Sequence, residues 1–353
     1  AQRPGIPALV MAQKIYGNNR IFCKGRFISG PDSRSCIATI LMVWVPAVIW
    51  QVKVGGYFAN HGGLALPLLA AVLQVASLGF LLATAFSDPG IMPRQKDYSE
   101  NYDPRTKCFR AKQPPRYHDV MLRGHPFKLK FCTTCSIYRP PRCTHCSVCE
   151  NCIERFDHHC PWIGNCIGKR NYWLFYCFVS ATGALNTLVL GTSAAHLGLL
   201  CTEHRNLGLG GGEALLQSMR EEPLTAALVV YCVSIVWFTV GLCLYHNYLI
   251  CTNQTTYEQI KGVYSGGNNP FHRGILGNYQ DVLASRIRPR YFDPYKEQML
   301  WPKAGDEGAR ELKLSGRSGD WKGAGGYVGG SWGGEAHGAQ VAASEETRAG
   351  GRP

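Results

Sequence analysis

Four long apolar runs interrupt a chain of 353 residues that is otherwise polar. They occupy residues 35–54, 64–86, 172–200 and 224–251. Each approaches or exceeds the roughly 20 residues a helix needs to cross a bilayer. A soluble chain of this size has no use for four such runs, so they predict spanning helices. The first carries Pro46 inside it and Lys53 at an edge, where it can snorkel to the interface. The runs divide the chain into a lead 1–34, a helix pair 35–86, a polar loop 87–171, a second pair 172–251, a segment 252–302 and a tail 303–353. The tail is dense in Gly, Ala and Ser without a period, which predicts disorder. The predicted fold class is an all-α polytopic membrane protein of four transmembrane helices, with the large loop between helices 2 and 3.

Charge gives that pattern an orientation. Residues 90–170 carry 15 Lys/Arg against 7 Asp/Glu. The loop 55–63 carries no Lys or Arg, and 201–223 only Arg205 and Arg220 beside four acids. The positive-inside bias puts the long loop, and with four spans both termini, in the cytosol. The basic lead agrees, with Lys14, Arg20, Lys24, Arg26 and Arg34. The net charge of +13 suits an anionic cytoplasmic leaflet. Nucleic acid is set aside as a partner, because the basic loop is pinned between spans.

Within the loop, residues 132–166 hold eight cysteines and three histidines. No packed core needs that density of thiol and imidazole. Cys132/Cys135 and Cys146/Cys149 are C-x2-C knuckles, and Cys149/Cys152 reads as a third. Such spacing in a reducing compartment favours metal over disulfides. A closed structural zinc takes four Cys or His ligands. Two such sites use eight of the eleven candidates and leave three over. Adjacent side chains on an extended segment point apart, so one of His158 and His159 ligates and the other is free. A spare thiol beside a spare imidazole is the arrangement that generates a thiolate nucleophile.

These residues resemble the cysteine-rich domain of the DHHC protein S-acyltransferases, or palmitoyltransferases. The likeness runs through Arg139-Pro140-Pro141-Arg142, His145-Cys146, Asp157-His158-His159-Cys160, Trp162, Asn165-Cys166-Ile167-Gly168 and Asn171. It implies one zinc on Cys132, Cys135, His145 and Cys152 and another on Cys146, Cys149, His159 and Cys166. Both are structural. It implies Cys160 as nucleophile, His158 as its base and Asp157 as the group that orients His158. The thiolate would take a long-chain acyl group from palmitoyl-CoA or a related acyl-CoA. It would then pass that group to an accessible cysteine of a cytosolic or membrane protein. Some members need an accessory subunit. The alternative is a catalytically silent zinc-bearing membrane adaptor, and the intact Asp157-His158-His159-Cys160 stands against it. Cys143 falls outside the implied sets and reads as a small buried residue.

Further positions follow from the same placement. The thiol lies a few residues before the third run, beside Trp162, a residue favoured at membrane interfaces. Arg139, Arg142, Lys169 and Arg170 are candidates for CoA phosphates. Phe175, Phe178, Thr182 and Leu185 share a helical face and are candidates to line the acyl chain. Asp88-Pro89-Gly90 is a helix stop and turn after the second run. Thr255-Thr256-Tyr257-Glu258 carries an N-cap signature after the fourth. Both match motifs of the resembled family, as does Asn278 in a segment near 269–279, and the second motif is expected to meet the zinc domain. His246 and Asn247 read as hydrogen-bonded polar residues in the fourth span. The compartment stays open among Golgi, endoplasmic reticulum and plasma membrane.

Overall fold

The computed structural model describes residues 17–23, 25–94, 102–103, 108–109, 115–122, 125–267, 269–283, 292–293 and 298–299. The predicted tail 303–353, Lys14 and Lys24 lie outside them, as do parts of the loop 87–171.

Among the described residues, four helices are long and apolar enough to cross a membrane: Ser33–Gly62, Ala65–Ala85, Tyr172–Asn206 and Pro223–Thr252. The first begins as α1 (Ser33–Trp50), passes through a wide turn at Gln51–Gly55 and continues as α2 (Gly56–Gly62). The stretch 55–63, expected as a loop, is therefore mostly helical. Pro46 sits inside α1 without ending it. Helix α3 (Ala65–Ala85) is the second span and α4 (Tyr172–Asn206) the third. A short amphipathic helix, α5 (Gly211–Glu221), lies in the stretch 201–223, where only charge was read from the sequence. Its Ala214 and Ser218 are buried, while Leu215 and Leu216 are exposed. Helix α6 (Pro223–Thr252) is the fourth span, and it ends at Asn253, whose left-handed backbone closes the helix. Two short helices follow, α7 (Thr256–Ile260) and α8 (Gly274–Leu283).

Helix α4 is central, packed between α3 and α6. Its contacts form two apolar cores along its length. One holds Phe175, Phe178 and Val179 with Leu81, Ile250 and Cys160, and the other holds Leu185 and Val189 with Trp50, Ala70 and Leu228. Hydroxyls bridge the helices: Ser77 to Thr182 at 2.6 Å and Trp50 to Thr192 at 2.9 Å. Val72, Val75, Val230 and Trp237 face outward, as lipid-exposed side chains should.

Outside the spans the fold is not all-α. Periodicity could not show this, because the strands are mostly two or three residues long. Hairpin β1–β2 (Arg20–Phe22, Phe27–Ser29) precedes α1. Strands β3 (Tyr102–Asp103) and β4 (Cys108–Phe109) pair, and β5 (Tyr117–Leu122), β6 (His125–Cys132) and β7 (Ile137–Tyr138) form a three-stranded sheet. Hairpins β8–β9 (Thr144–Cys146, Asn151–Ile153) and β10–β11 (His158–Cys160, Asn165–Ile167) follow. Strands β12 (Phe292–Asp293) and β13 (Gln298–Met299) pair near the end.

Candidate functional site

Strand alternation sorts the cysteine-rich residues. In β8–β9, His145 faces Cys152, and the neighbouring Cys146 points to the opposite side. In β10–β11, His159 faces Cys166, while His158 and Cys160 share the other face. Each knuckle closes on a left-handed residue, Ser136 after Cys135 and Glu150 after Cys149.

Two four-donor groups result: Cys132, Cys135, His145 and Cys152, and Cys146, Cys149, His159 and Cys166. Within each group all donor atoms lie within 4.8 Å of one another. The Nδ1 of His145 is 3.5 Å from the sulfurs of Cys132 and Cys135, and the Nδ1 of His159 is 3.5 Å from those of Cys149 and Cys166. Thiolates and imidazoles in fours, almost all buried and without an open position, fit a structural zinc. The far nitrogens are also held: His159 Nε2 by Asp32 at 3.0 Å and His145 Nε2 by Glu150 at 3.7 Å. A carboxylate behind a ligating imidazole fixes its ring and raises its basicity. Asp32 stands immediately before α1, so it ties the second group to the first span.

On the other face of β10, the Asp157 carboxylate meets His158 Nδ1 at 2.6 Å. That leaves the second ring nitrogen for the Cys160 thiol, with which His158 also interacts. Burial disfavours an imidazolium here, but the bonds to Asp157 and Cys160 outweigh it and raise the His158 pKa to about 10. Burial likewise opposes the Asp157 carboxylate, and His158 with the Thr256 amide overrides it, so the carboxyl stays below its usual range. Cys160 is 7% exposed and packed in the core that α4 shares with α3 and α6. Phe175 lies edge-on to His158 at 5.2 Å, and His246 stands 6.2 Å away. His246 is itself bound to the Tyr172 hydroxyl at 3.0 Å. The sequence marked His246 only as a satisfied polar residue, and its nearness to His158 had no signal in the spacing.

The segment after α6 closes the site. Thr256 donates its backbone N–H and its hydroxyl to the two Asp157 oxygens, each at 2.8 Å. Thr255 and Glu258 form a reciprocal capping box. Glu258 takes both 2.7 Å bonds from Arg142, whose guanidinium also reaches Asn253. Asn278, 1% exposed, donates to the Cys251 carbonyl and receives Asn253 and the Arg273 amide. At the other end, Asp88 accepts the amides of Gly90 and Ile91, which shapes the turn at Pro89. Gly164 has to be glycine, since its backbone is left-handed and a Cβ there would stand 2.7 Å from the Asp32 carbonyl.

The remaining sequence candidates divide. Phe175 and Phe178 share the Cys160 core, whereas Leu185 belongs to the other core and Thr182 is bonded to Ser77. Trp162 is half exposed, and its carbonyl accepts the Thr39 hydroxyl at 2.8 Å. The four cations do not form one cluster facing the thiol. Arg142 is buried on Glu258, Arg170 is 3.5 Å from Asp88, Lys169 pairs with Glu154, and Arg139 lies against Cys132. Cys143 is buried among the first group of sulfurs.

A family model described as DHHC palmitoyltransferase matches residues 125–263. Probable protein S-acyltransferase 7 of Arabidopsis thaliana is 38% identical over 284 residues, which cover 77% of this chain and 62% of that protein. Protein S-acyltransferase 8 of Arabidopsis thaliana is 36% identical over 296 residues, covering 79% and 71%. Palmitoyltransferase ZDHHC18 of Mus musculus is 37% identical over 288 residues, covering 78% and 73%.

Proposed function

Because the chain belongs to the DHHC palmitoyltransferase family, we propose that Cys160 carries a long-chain acyl group from acyl-CoA to a cysteine of a target protein. The observation that carries this reading is the shared face of His158 and Cys160, with Asp157 fixed behind the imidazole by Thr256. An imidazolium beside a thiol favours the thiolate. The Cys160 sulfur attacks the thioester carbonyl carbon, the bond from that carbon to the CoA sulfur breaks, and His158 returns a proton to the departing CoA thiolate. In the second step His158 accepts the proton of the target thiol. That sulfur attacks the acyl-enzyme, and Cys160 leaves as thiolate. Asp157 holds the ring in place throughout.

Two zinc ions, one on each four-donor group, would crosslink the hairpins that present this face. The acyl chain would lie among Phe175 and Phe178 and run along α4 toward Leu185. The CoA head would face the cytosol on the side of Arg139, since Arg142 is committed to Glu258, Lys169 to Glu154 and Arg170 to Asp88. The charge bias of the loops supports the cytosolic side for the zinc domain and both termini. Targets would be membrane-near proteins with an accessible cysteine.

The test is single-turnover labelling of the purified chain with radiolabelled palmitoyl-CoA. A hydroxylamine-labile adduct should form on the native chain and not on Cys160→Ser. His158→Ala should form it at least roughly a hundredfold more slowly, the usual weight of a positioned base, with its zinc content unchanged. Label that persists on Cys160→Ser would sink the mechanism.

A further inference from the structure

Helix α5 takes no part in a span or at the thiol, yet its surface is sharply divided. At about 3.6 residues per turn its side chains fall into three sectors. Ala214 and Ser218, both fully buried, form the first, and α5 packs on α4. The Ser218 hydroxyl is spent on the Ala214 carbonyl at 2.8 Å, so this face needs no polar partner. Leu215, Leu216 and Met219 form the second sector, and all three are exposed. Glu213, Gln217, Arg220 and Glu221 form the third. Each sector borders the other two, so the apolar ridge turns away from the bundle and from the charges alike.

Two bonds to one residue set how α5 lies. Leu209, just before it, donates its amide to the His204 carbonyl at 3.2 Å, and His204 Nε2 meets the Glu221 carboxylate at 3.1 Å. Both ends of the helix are thereby pinned to the last turn of α4. A helix held in this way lies across the end of the bundle rather than along a span. Its depth follows from helix geometry. Along α6 about 33 Å separates Leu224 from His246, and His246 stands beside His158 at the thiol. The hydrocarbon core of a bilayer is roughly 30 Å thick. With the thiol at one interface, Leu224 and the adjoining α5 reach the other. The first span gives the same thickness, since its exposed cation Lys53 lies about 30 Å from Ser33.

An apolar ridge at that level, on a helix lying across the bundle, meets the boundary between headgroups and acyl chains. Leu199 of α4 and Leu224 of α6 are exposed at the same end, so the ridge extends an apolar rim. The polar sector sets Glu213 and Glu221 against Arg220 alone, and Glu222 follows it. It therefore offers little to an anionic headgroup. We propose that α5 is an interfacial anchor that inserts Leu215, Leu216 and Met219 among the acyl chains of the leaflet opposite the thiol. Its partner is the neutral lipid of that leaflet, while Glu213, Gln217 and Arg220 stay in water. Through its packing on α4 the anchor fixes how deep that span sits. The inference rests on the spans and not on acyl transfer.

The test uses the full chain in phosphatidylcholine nanodiscs, with a nitroxide read by electron paramagnetic resonance. p-Acetylphenylalanine replaces Leu216, Met219, Glu213 or Gln217 in turn, and a hydroxylamine nitroxide labels its ketone without touching the cysteines. Collisions with oxygen and with a water-soluble nickel chelate give the depth of each label. Labels at positions 216 and 219 should lie roughly 5–10 Å into the boundary between headgroups and acyl chains, open to oxygen and closed to nickel. Labels at positions 213 and 217 should be open to nickel, and added phosphatidylserine should change none of the four. Leu215→Gln with Leu216→Gln should open a label at position 219 to nickel. Metal content and thermal midpoint should match the labelled chain without those changes, so that the gain reports a lost anchor and not unfolding. The proposal is overturned if positions 216 and 219 are as open to nickel as 213 and 217. It is equally overturned if they are closed to oxygen as well, as in a contact between copies, if their burial requires phosphatidylserine, or if the double substitution leaves position 219 closed.

Discussion

Asp157 is the most heavily engaged side chain around the thiol. Three donors fix it: His158 Nδ1, the Thr256 amide and the Thr256 hydroxyl. A carboxylate held this way cannot turn, and neither can the imidazole on it. Thr256→Val removes one donor and keeps the backbone. Hydrogen bonds to a charged group contribute about 1.5–3 kcal/mol, so acyl-enzyme formation should slow roughly ten- to a hundredfold, and Thr256→Ser should recover most of the rate. Single-turnover labelling measures both, and an unchanged rate in Thr256→Val would show that Asp157 is oriented without this hydroxyl. The sequence made Asp157, His158 and Cys160 legible because they fall within four consecutive residues and are chemically distinctive. It gave Thr256 only as part of a motif expected to meet the zinc domain. Thr256 lies 99 positions after Asp157, and no spacing rule at that distance names which acid it meets. His246 was hidden for the same reason: a polar residue in a span shows that it needs a partner, not which ring it faces.

At the scale of elements, short hairpins do what the sequence could only count. Eleven ligand candidates and two closed sites leave three residues over. The alternation in β8–β9 and β10–β11 decides which way each residue points. Those hairpins are too short for any hydrophobic period, so they were not foreseen, and neither was α5, where four acids dominated the reading of a loop. The long spans were legible because about 20 apolar residues have few other uses. Helix α7 is locked to the zinc domain by Arg142 on Glu258, side chains 9% and 6% exposed. Removing one partner of a buried pair costs about 3–5 kcal/mol. Glu258→Gln should therefore lower the thermal midpoint in detergent sharply, while Arg142→Met with Glu258→Met should restore much of it. A single variant that melts like the native chain would show the pair to be dispensable.

Across the whole molecule, the zinc domain is fastened to the ends of several spans. Asp32, one residue ahead of α1, holds His159, and Asn165 binds the carbonyls that end α3. From sequence, nearness to the third span was plain, since it begins six residues after Cys166. The ties to the first and second spans were not, because Asp32 and His159 are 127 residues apart. Asp32→Ala should weaken metal binding at the second group roughly 10- to 100-fold and leave the first group unchanged, as read by competition with a chromophoric chelator. Equal loss at both groups, or none, would show that the first span does not support the metal. The bond between Thr256 and Asp157 also sets an order of birth. A ribosome adding about 5–20 residues per second finishes Asp157 roughly 5–20 seconds before Thr256. All of α6 must be made in that interval. On the proposed mechanism, the growing chain carries its nucleophilic thiol early and its orienting clasp late, so the thiol would be armed only when the last span has been synthesised.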